Sequence, residues 1–262
     1  MFTILLHSSK TMRTPTGAPT PPQTQLLAHK AAQLAAYVQS LSVSELQSAM
    51  KLSPALAEKT HKLWQKWGRH SSKLPAIDAF QGDIYSGLQA HTFTPEDRAY
   101  AARTLFILSG LYGVLRALDT VHPYRLEMGY KLPHPSFRSL YSFWGSAIAA
   151  ELPVQRTILN VSVPEYTKAV FPHLPEGTRI ITPLFLTHKP GQVEPKTVTV
   201  HSKIARGAFA HWVITRRIED ESQLRDFAEL GYTYDAHRST PEQPVYVTQN
   251  FQGRGLSVRT RP

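Results

Sequence analysis

The sequence predicts a single domain of the α/β class, with helices and strands mixed along the chain. Four segments rich in β-branched residues and bounded by Pro or Gly have strand character, and helix-start signals lie before and between them. The 262 residues, 42% hydrophobic and 18% charged, are typical of a globular protein with a real core. We predict one domain over 1–252 and a basic, flexible tail over 253–262.

Composition excludes several classes of function. The chain has no cysteine, which rules out disulfides, thiolate metal sites and a thiol peroxidase mechanism. No apolar run approaches the roughly 18 residues of a membrane span, so no membrane partner is expected. The segment "MFTILLHSSK" lacks the basic start of a signal peptide. We interpret it as the first strand and expect a cytoplasmic protein.

The formal charge of +10 is placed unevenly. Residues 1–75 hold nine Lys and Arg against two Glu. Such an imbalance suggests a polyanionic partner such as nucleic acid, and a solvated, solubilising face is the alternative.

The first third of the chain predicts a loop and three helices. The Pro- and Thr-rich segment 13–25 is typical of an extended loop, and a helix follows over about 25–40. Ser42 and Glu45 have the spacing of a capping box, so a helix begins at Ser42. Ser53 and Pro54 have the pattern of an N-cap followed by proline in the first turn. Because the connection between these two helices is very short, residues 42–67 form a helical hairpin.

The second helix of this hairpin has one apolar and one basic face. Its apolar face carries Leu56, Thr60, Leu63, Trp64 and Trp67. The candidate DNA-contacting residues are the basic side chains of the hairpin, which are Lys51, Lys59, Lys62, Lys66 and Arg69. They fit contacts to phosphates that carry no sequence information, and an ordinary amphipathic surface helix remains the alternative.

The remaining elements follow from local patterns. A helix with Thr94 as N-cap is predicted to run through 98–110. Strands are predicted over 156–163, 178–186, 196–202 and 244–251, and helices over 204–217 and 222–229.

Charged residues interrupt apolar sequence between 108 and 130, where neither helical nor strand periodicity sorts them onto one face. Buried charges need partners or a wet cavity. We therefore predict a basic, tyrosine-lined cleft, with a helix N-terminus near Lys203 and Arg206 adding free N–H groups. Its candidate residues are Lys10, Arg116, Tyr124, Arg125, Glu127, Asn160, Ser162, Tyr166, Lys168, Lys203 and Arg206. A structural ion-pair network is the alternative.

No standard catalytic motif is present. The P-loop, the dinucleotide-binding glycine pattern, the nucleophile elbow and the zinc-protease motif are all missing from the sequence. The 12 histidines have no metal-ligand spacing, so we predict no metal and no cofactor. If the cleft is catalytic, Glu127 or Glu165 would be the general base and Lys10 or Lys203 the nucleophile or acid.

Several segments resemble the YaaA family of bacterial peroxide-stress proteins. These are "SKTM" (9–12), "AFQGDIYSGL" (79–88), "LSGLYGVLRALDTVHPYRLEMG" (108–129), "YSFWG" (141–145), "LNVSVPEYTKAV" (159–170), "KIARGAF" (203–209) and "ELGYTYD" (229–235). They appear in the family's order and span nearly the whole chain.

The resemblance implies a cytoplasmic protein that protects cells against hydrogen peroxide, with links to intracellular iron and to oxidative DNA damage. It also implies a compact α/β domain of the type called cantaloupe-like, with a helix-hairpin-helix element and a positively charged cleft. The partner it implies is double-stranded DNA, bound without sequence specificity. A second hypothesis is an enzyme or small-ligand binder whose cleft holds an anionic or nucleotide-like molecule. The oligomeric state is left open.

Overall fold

A central five-stranded sheet organises the fold. The computed structural model describes residues 1–15, 24–69 and 73–257 and confirms the mixed α/β class. The strands are β1 (Thr3–His7), β2 (Thr11–Met12), β3 (Leu74–Pro75), β4 (Phe80–Gln81), β5 (Leu105–Ser109), β6 (Gly113–Arg116), β7 (Thr120–Val121), β8 (Ile158–Asn160), β9 (Ile180–Ile181), β10 (Leu184–Thr187), β11 (Thr233–Tyr234) and β12 (Val245–Thr248). The central sheet has the order β6-β5-β1-β8-β9.

Helices surround this sheet. The α-helices are α1 (Ala28–Ser40), α2 (Val43–Met50), α3 (Pro54–Lys66), α4 (Ala76–Ala79), α5 (Asp83–Leu88), α6 (Pro95–Thr104), α7 (Leu140–Trp144), α8 (Ala147–Ala150), α9 (Pro164–Thr167) and α10 (Thr199–Arg216). Short 3-10 helices cover Ala90–Thr92, Phe171–His173, Glu221–Asp226 and Glu229–Gly231. No helix in this described part of the chain is long and apolar enough to cross a membrane.

Strand β1 lies in the middle of the central sheet and sets the position of the site. It pairs in parallel with β5 on one side and β8 on the other, and β9 extends the parallel part beyond β8. Strand β6 returns antiparallel to β5. The carboxyl ends of β1, β5 and β8 therefore meet at one edge, the usual place for ligand sites in such sheets.

Helices α5 and α10 approach each other unusually closely. A Cβ added to Gly87 would lie 2.0 Å from the Ile204 carbonyl oxygen, and one added to Gly207 would lie 1.8 Å from the Ile84 carbonyl oxygen. Only glycine fits at either position, because any other residue would push the two backbones apart. This packing fixes α10 relative to the end of β1.

The hairpin predicted over 42–67 is present as α2 and α3. Ser42 and Glu45 form the predicted capping box, and the turn places Lys51 in the left-handed region at φ 51°. The side chain of Ser53 makes no capping hydrogen bond, whereas Pro54 occupies the first turn of α3 as predicted. The hairpin thus forms from local signals, and its inner face is buried.

Several predicted elements are wrong in kind or length. Helix α6 ends at Thr104, and the apolar run that follows is strand β5, because it pairs with β1 in the core. The segment 196–202 is not a strand: α10 begins at Thr199, where packing against α5 overrides the β-branched sequence. The strand predicted over 178–186 is divided into β9 and β10.

The ends of the predicted loop and tail lie partly outside the described residues. Residues 16–23 of the loop and 258–262 of the tail are not among them. Ser257, within the predicted tail, is buried and donates a hydrogen bond to Asp83 Oδ1 at 2.6 Å. The packed structure therefore continues beyond residue 252, and the helix predicted over 222–229 is replaced by two 3-10 helices.

Candidate functional site

Polar side chains collect where the parallel strands end. The Ser8 hydroxyl, just after β1, lies 3.1 Å from the Tyr166 hydroxyl. The Ser109 hydroxyl, the last side chain of β5, lies 2.7 Å from the Tyr124 hydroxyl. The predicted cleft residues Tyr124 and Tyr166 are thus brought to this edge of the sheet.

Buried tyrosines form the floor of the cleft. Tyr85, from α5, donates a hydrogen bond to the His7 carbonyl at 2.9 Å. Burial raises the pKa of Tyr85, Tyr124 and Tyr166 well above the usual value, and the charge of Glu127 raises all three further. These phenols therefore stay neutral at physiological pH and act as hydrogen-bonding groups.

An acidic and basic group of side chains lies over this floor. Glu127 is only 8% exposed. Burial raises the pKa of Glu127 to about 7; the charge of Lys10 opposes this shift and the charge of Glu165 adds to it. Arg125 lies beside Lys10, with its Nη1 atom 3.4 Å from the Lys10 carbonyl oxygen. Glu165 accepts a hydrogen bond from the Gly129 backbone N–H at 2.9 Å.

The helical hairpin supplies one wall of the same cleft. A cavity of about 710 Å³ is lined by Lys10, Glu127 and Glu165 from the cleft and by Glu45 and Lys51 from the hairpin, among other residues. On the inner face, the rings of Trp64 and Tyr124 lie 6.4 Å apart, as do those of Trp67 and Tyr112. The basic residues predicted for DNA, which are Lys51, Lys59, Lys62, Lys66 and Arg69, are all exposed, and Lys51 also lines this cavity.

A second group of cations faces His7. Burial, together with the positive charges of Arg206 and Lys203, lowers the pKa of His7 to about 3, so these two side chains lie near the imidazole. Burial also lowers the pKa of Arg206. The prediction of free N–H groups here is wrong: because α10 begins at Thr199, Lys203 and Arg206 lie inside the helix, where the backbone N–H groups are bonded within it.

Arg116 does not belong to the cleft, contrary to prediction. It pairs with Phe106, near the start of β5, which is the opposite end of the strand from Ser109. Its Nε atom donates to Asp119 Oδ1 at 2.9 Å, and the Asp119 side chain is fully buried. Arg116 and Asp119 thus form a structural ion pair that closes the turn after β6.

Three further predicted residues have different surroundings. Asn160 accepts a hydrogen bond from the Ser162 backbone N–H at 3.1 Å and donates one to Thr182 Oγ1 at 3.2 Å, so its amide holds the loop after β8. Ser162 is buried beside it. Lys168 is exposed at the end of α9.

Sequence reasoning missed His7, Tyr85 and Ser109 as cleft residues. His7 and Ser109 each end an apolar strand, and a polar residue at that position is a signal that sequence can show. Tyr85 had no such signal, because only the tertiary packing of α5 brings it to β1. Within residues 1–15, 24–69 and 73–257, no group of three His, Asp or Glu side chains is placed to hold a metal ion.

Fold and cleft together define a class: an α/β protein with a basic, tyrosine-lined cleft walled by a helical hairpin. A family model described as "Peroxide stress protein YaaA" matches residues 2–238. The chain belongs to this family, as the sequence motifs predicted.

Relatives agree with this assignment. A UPF0246 protein of Salinispora tropica is 50% identical over 258 residues, which cover 98% of this chain and 97% of that protein. UPF0246 proteins of Burkholderia mallei and Burkholderia pseudomallei are 38% identical over 230 residues, covering 84% of this chain and 87% of theirs.

Proposed function

We propose that this peroxide-stress protein binds double-stranded DNA without sequence specificity and limits oxidative damage to it. One observation carries the proposal. The hairpin and the two residues that follow it hold five basic side chains against two acidic ones between residues 42 and 69, and all five are exposed. Exposed Lys and Arg on a rigid support neutralise phosphates and supply most of the affinity in non-specific binding.

The support of the hairpin favours a binding surface over a merely solvated face. The buried residues Leu46, Met50 and Trp64 anchor α2 and α3 to the core, so the basic side chains keep fixed relative positions. The side chain of Ser53 leaves the first N–H groups of α3 uncapped, and these groups can bind a phosphate oxygen.

The test is a charge reversal on α3, K59E/K62E/K66E, with binding to a short duplex measured over a range of salt concentrations. Each lost phosphate contact reduces the slope of log affinity against log salt by roughly 0.9, so the slope should fall by about three. The matched control, R138E/K189E/K196E, reverses three exposed cations elsewhere and should retain the slope. Equal affinity of the hairpin variant and the natural chain would refute the contact surface.

The protective role has its own test. A strain that carries the α3 variant in place of the natural chain should be as sensitive to hydrogen peroxide as a strain that lacks the protein. Full protection by a variant that no longer binds DNA would separate the two parts of the proposal.

A second candidate function, a small-ligand binder or enzyme, is favoured by Glu127. A carboxyl group with a pKa of about 7 beside Lys10, facing a cavity, suits a general acid–base group. Glu165 is the alternative base, and Lys10 or Lys203 the nucleophile or acid.

A thermal-shift screen with nucleotides and other phosphorylated metabolites tests this function. A ligand at about 100 times its Kd stabilises the folded chain by roughly 2.7 kcal/mol. The shift should disappear in R125A, because Arg125 lies in the cleft beside Lys10. The absence of any shift for the natural chain would refute the second function.

A further inference from the structure

The cations facing His7 lack a counter-charge. Lys203 and Arg206 lie three residues apart on α10, hence on one face of the helix, and both are half-buried. Among the residues that the structure describes, neither forms an ion pair, whereas the carboxylates of the cleft, Glu127 and Glu165, face Lys10 and Arg125. Two half-buried cations without an anion are unfavourable, because neither charge is compensated.

Unpartnered polar atoms surround the same place. Strand β8 pairs with β1 and ends at Asn160, so Ser162, two residues further on, lies at the same edge of the sheet as His7 at the end of β1. Ser162 is 2% exposed and Ser202, one residue before Lys203, is 3% exposed. Within the described chain, both hydroxyl groups and His7 Nδ1 are buried without a hydrogen-bond partner. Buried polar atoms are normally paired, so a missing group is implied.

We propose that Lys203, Arg206, Ser162 and Ser202 form a subsite, beside the imidazole of His7, for the phosphate group of a small phosphomonoester. This inference rests on the second function proposed above and names the substrate class of that cleft. The ligand's remainder would extend toward Tyr166, whose ring centroid lies 5.1 Å from that of His7.

A monoester fits this subsite better than a carboxylate or a DNA phosphodiester. Two cations match the near-dianionic charge of a phosphomonoester at pH 7, whereas a carboxylate or a phosphodiester carries one negative charge. A guanidinium, an ammonium and two hydroxyl groups offer more donors than a carboxylate uses, and three terminal oxygens can accept them all. A terminal phosphate can also enter a buried subsite, whereas a backbone phosphate is flanked by sugar on both sides.

Calorimetric titration with inorganic phosphate, AMP and adenosine tests the subsite. Phosphate and AMP should bind the natural chain, and adenosine should not. R206Q should weaken both by at least about tenfold, because it removes one of the two charges. The matched control R216Q, at an exposed position on the same helix, should bind as the natural chain does. If R206Q is unfolded by circular dichroism, K203Q takes its place with the same expectation.

The possible failures can be told apart. Phosphate that does not bind the natural chain, or that binds R206Q as tightly, overturns the subsite. AMP binding that R206Q leaves unchanged refutes the subsite but keeps the small-ligand function. A loss of duplex affinity in R206Q as large as the loss for AMP would identify the ligand as DNA phosphate and overturn the monoester. Retained duplex binding in R206Q is expected, because the hairpin is intact.

Discussion

Replacing Glu127 by Gln should change how stability depends on pH. In the folded chain, burial raises the pKa of Glu127 from 4.5 to about 7. Between these two values the folded state retains a proton that the unfolded state has lost, so stability falls as pH rises. Gln resembles the protonated carboxyl group and does not ionise. E127Q should therefore match the natural chain near pH 4.5 and be more stable above pH 7.

The size of the effect follows from the shift in pKa. Glu127 is buried, so solvent screens its charge little. A shift from 4.5 to about 7 corresponds to about 3 kcal/mol at 1.36 kcal/mol per pH unit. This free energy is lost progressively across that interval and is fully lost above it.

Urea unfolding at several pH values between 4 and 8 measures the difference. The free energy of unfolding of E127Q relative to the natural chain should rise by about 3 kcal/mol over this range. E176Q, at an exposed glutamate, should show no such trend. A constant difference between E127Q and the natural chain would mean that Glu127 ionises freely in the folded state, and the acid–base argument would fail.

Two other substitutions test the framework around the cleft. G207A places a Cβ 1.8 Å from the Ile84 carbonyl oxygen, so it should lower the free energy of unfolding, measured in urea, by about 3 kcal/mol or more. An unchanged unfolding midpoint would mean that α5 and α10 can separate without cost. R116A leaves the buried carboxylate of Asp119 without its cation, so it should lower the free energy of unfolding by about 3 kcal/mol in the same assay. Phosphate affinity should not change, and R138A, at an exposed arginine, should leave stability unchanged.

Local signals predicted the hairpin well. Ser42 and Glu45 satisfy each other within one helical turn, so the capping box depends on few distant residues. The basic outer face of α3 is also visible from periodicity alone. The meeting of Lys10, Arg125 and Glu127 could be predicted on a different ground, because charges within apolar sequence require partners.

Tertiary packing decided the features that the sequence predicted wrongly. The run "TVTV" favours a strand, but its second half begins α10 because Gly207 lets this helix pack on α5. Arg116 lies in the same apolar block as Glu127, yet the antiparallel return of β6 carries it to the far end of the sheet. Strand order and direction cannot be read from a local window.

The contact between hairpin and cleft gives the protein an internal optical reporter. Trp64 and Trp67 are two of the four tryptophans, and their rings lie 6.3 Å apart beside the tyrosines of the cleft floor. At such short range, excitation energy absorbed by those tyrosines is transferred to the indole rings. The imidazole of His122 lies 5.5 Å from Trp67 and is also part of the surroundings of this indole. Binding of a ligand in the cleft can therefore be followed by intrinsic tryptophan fluorescence, without attaching a dye.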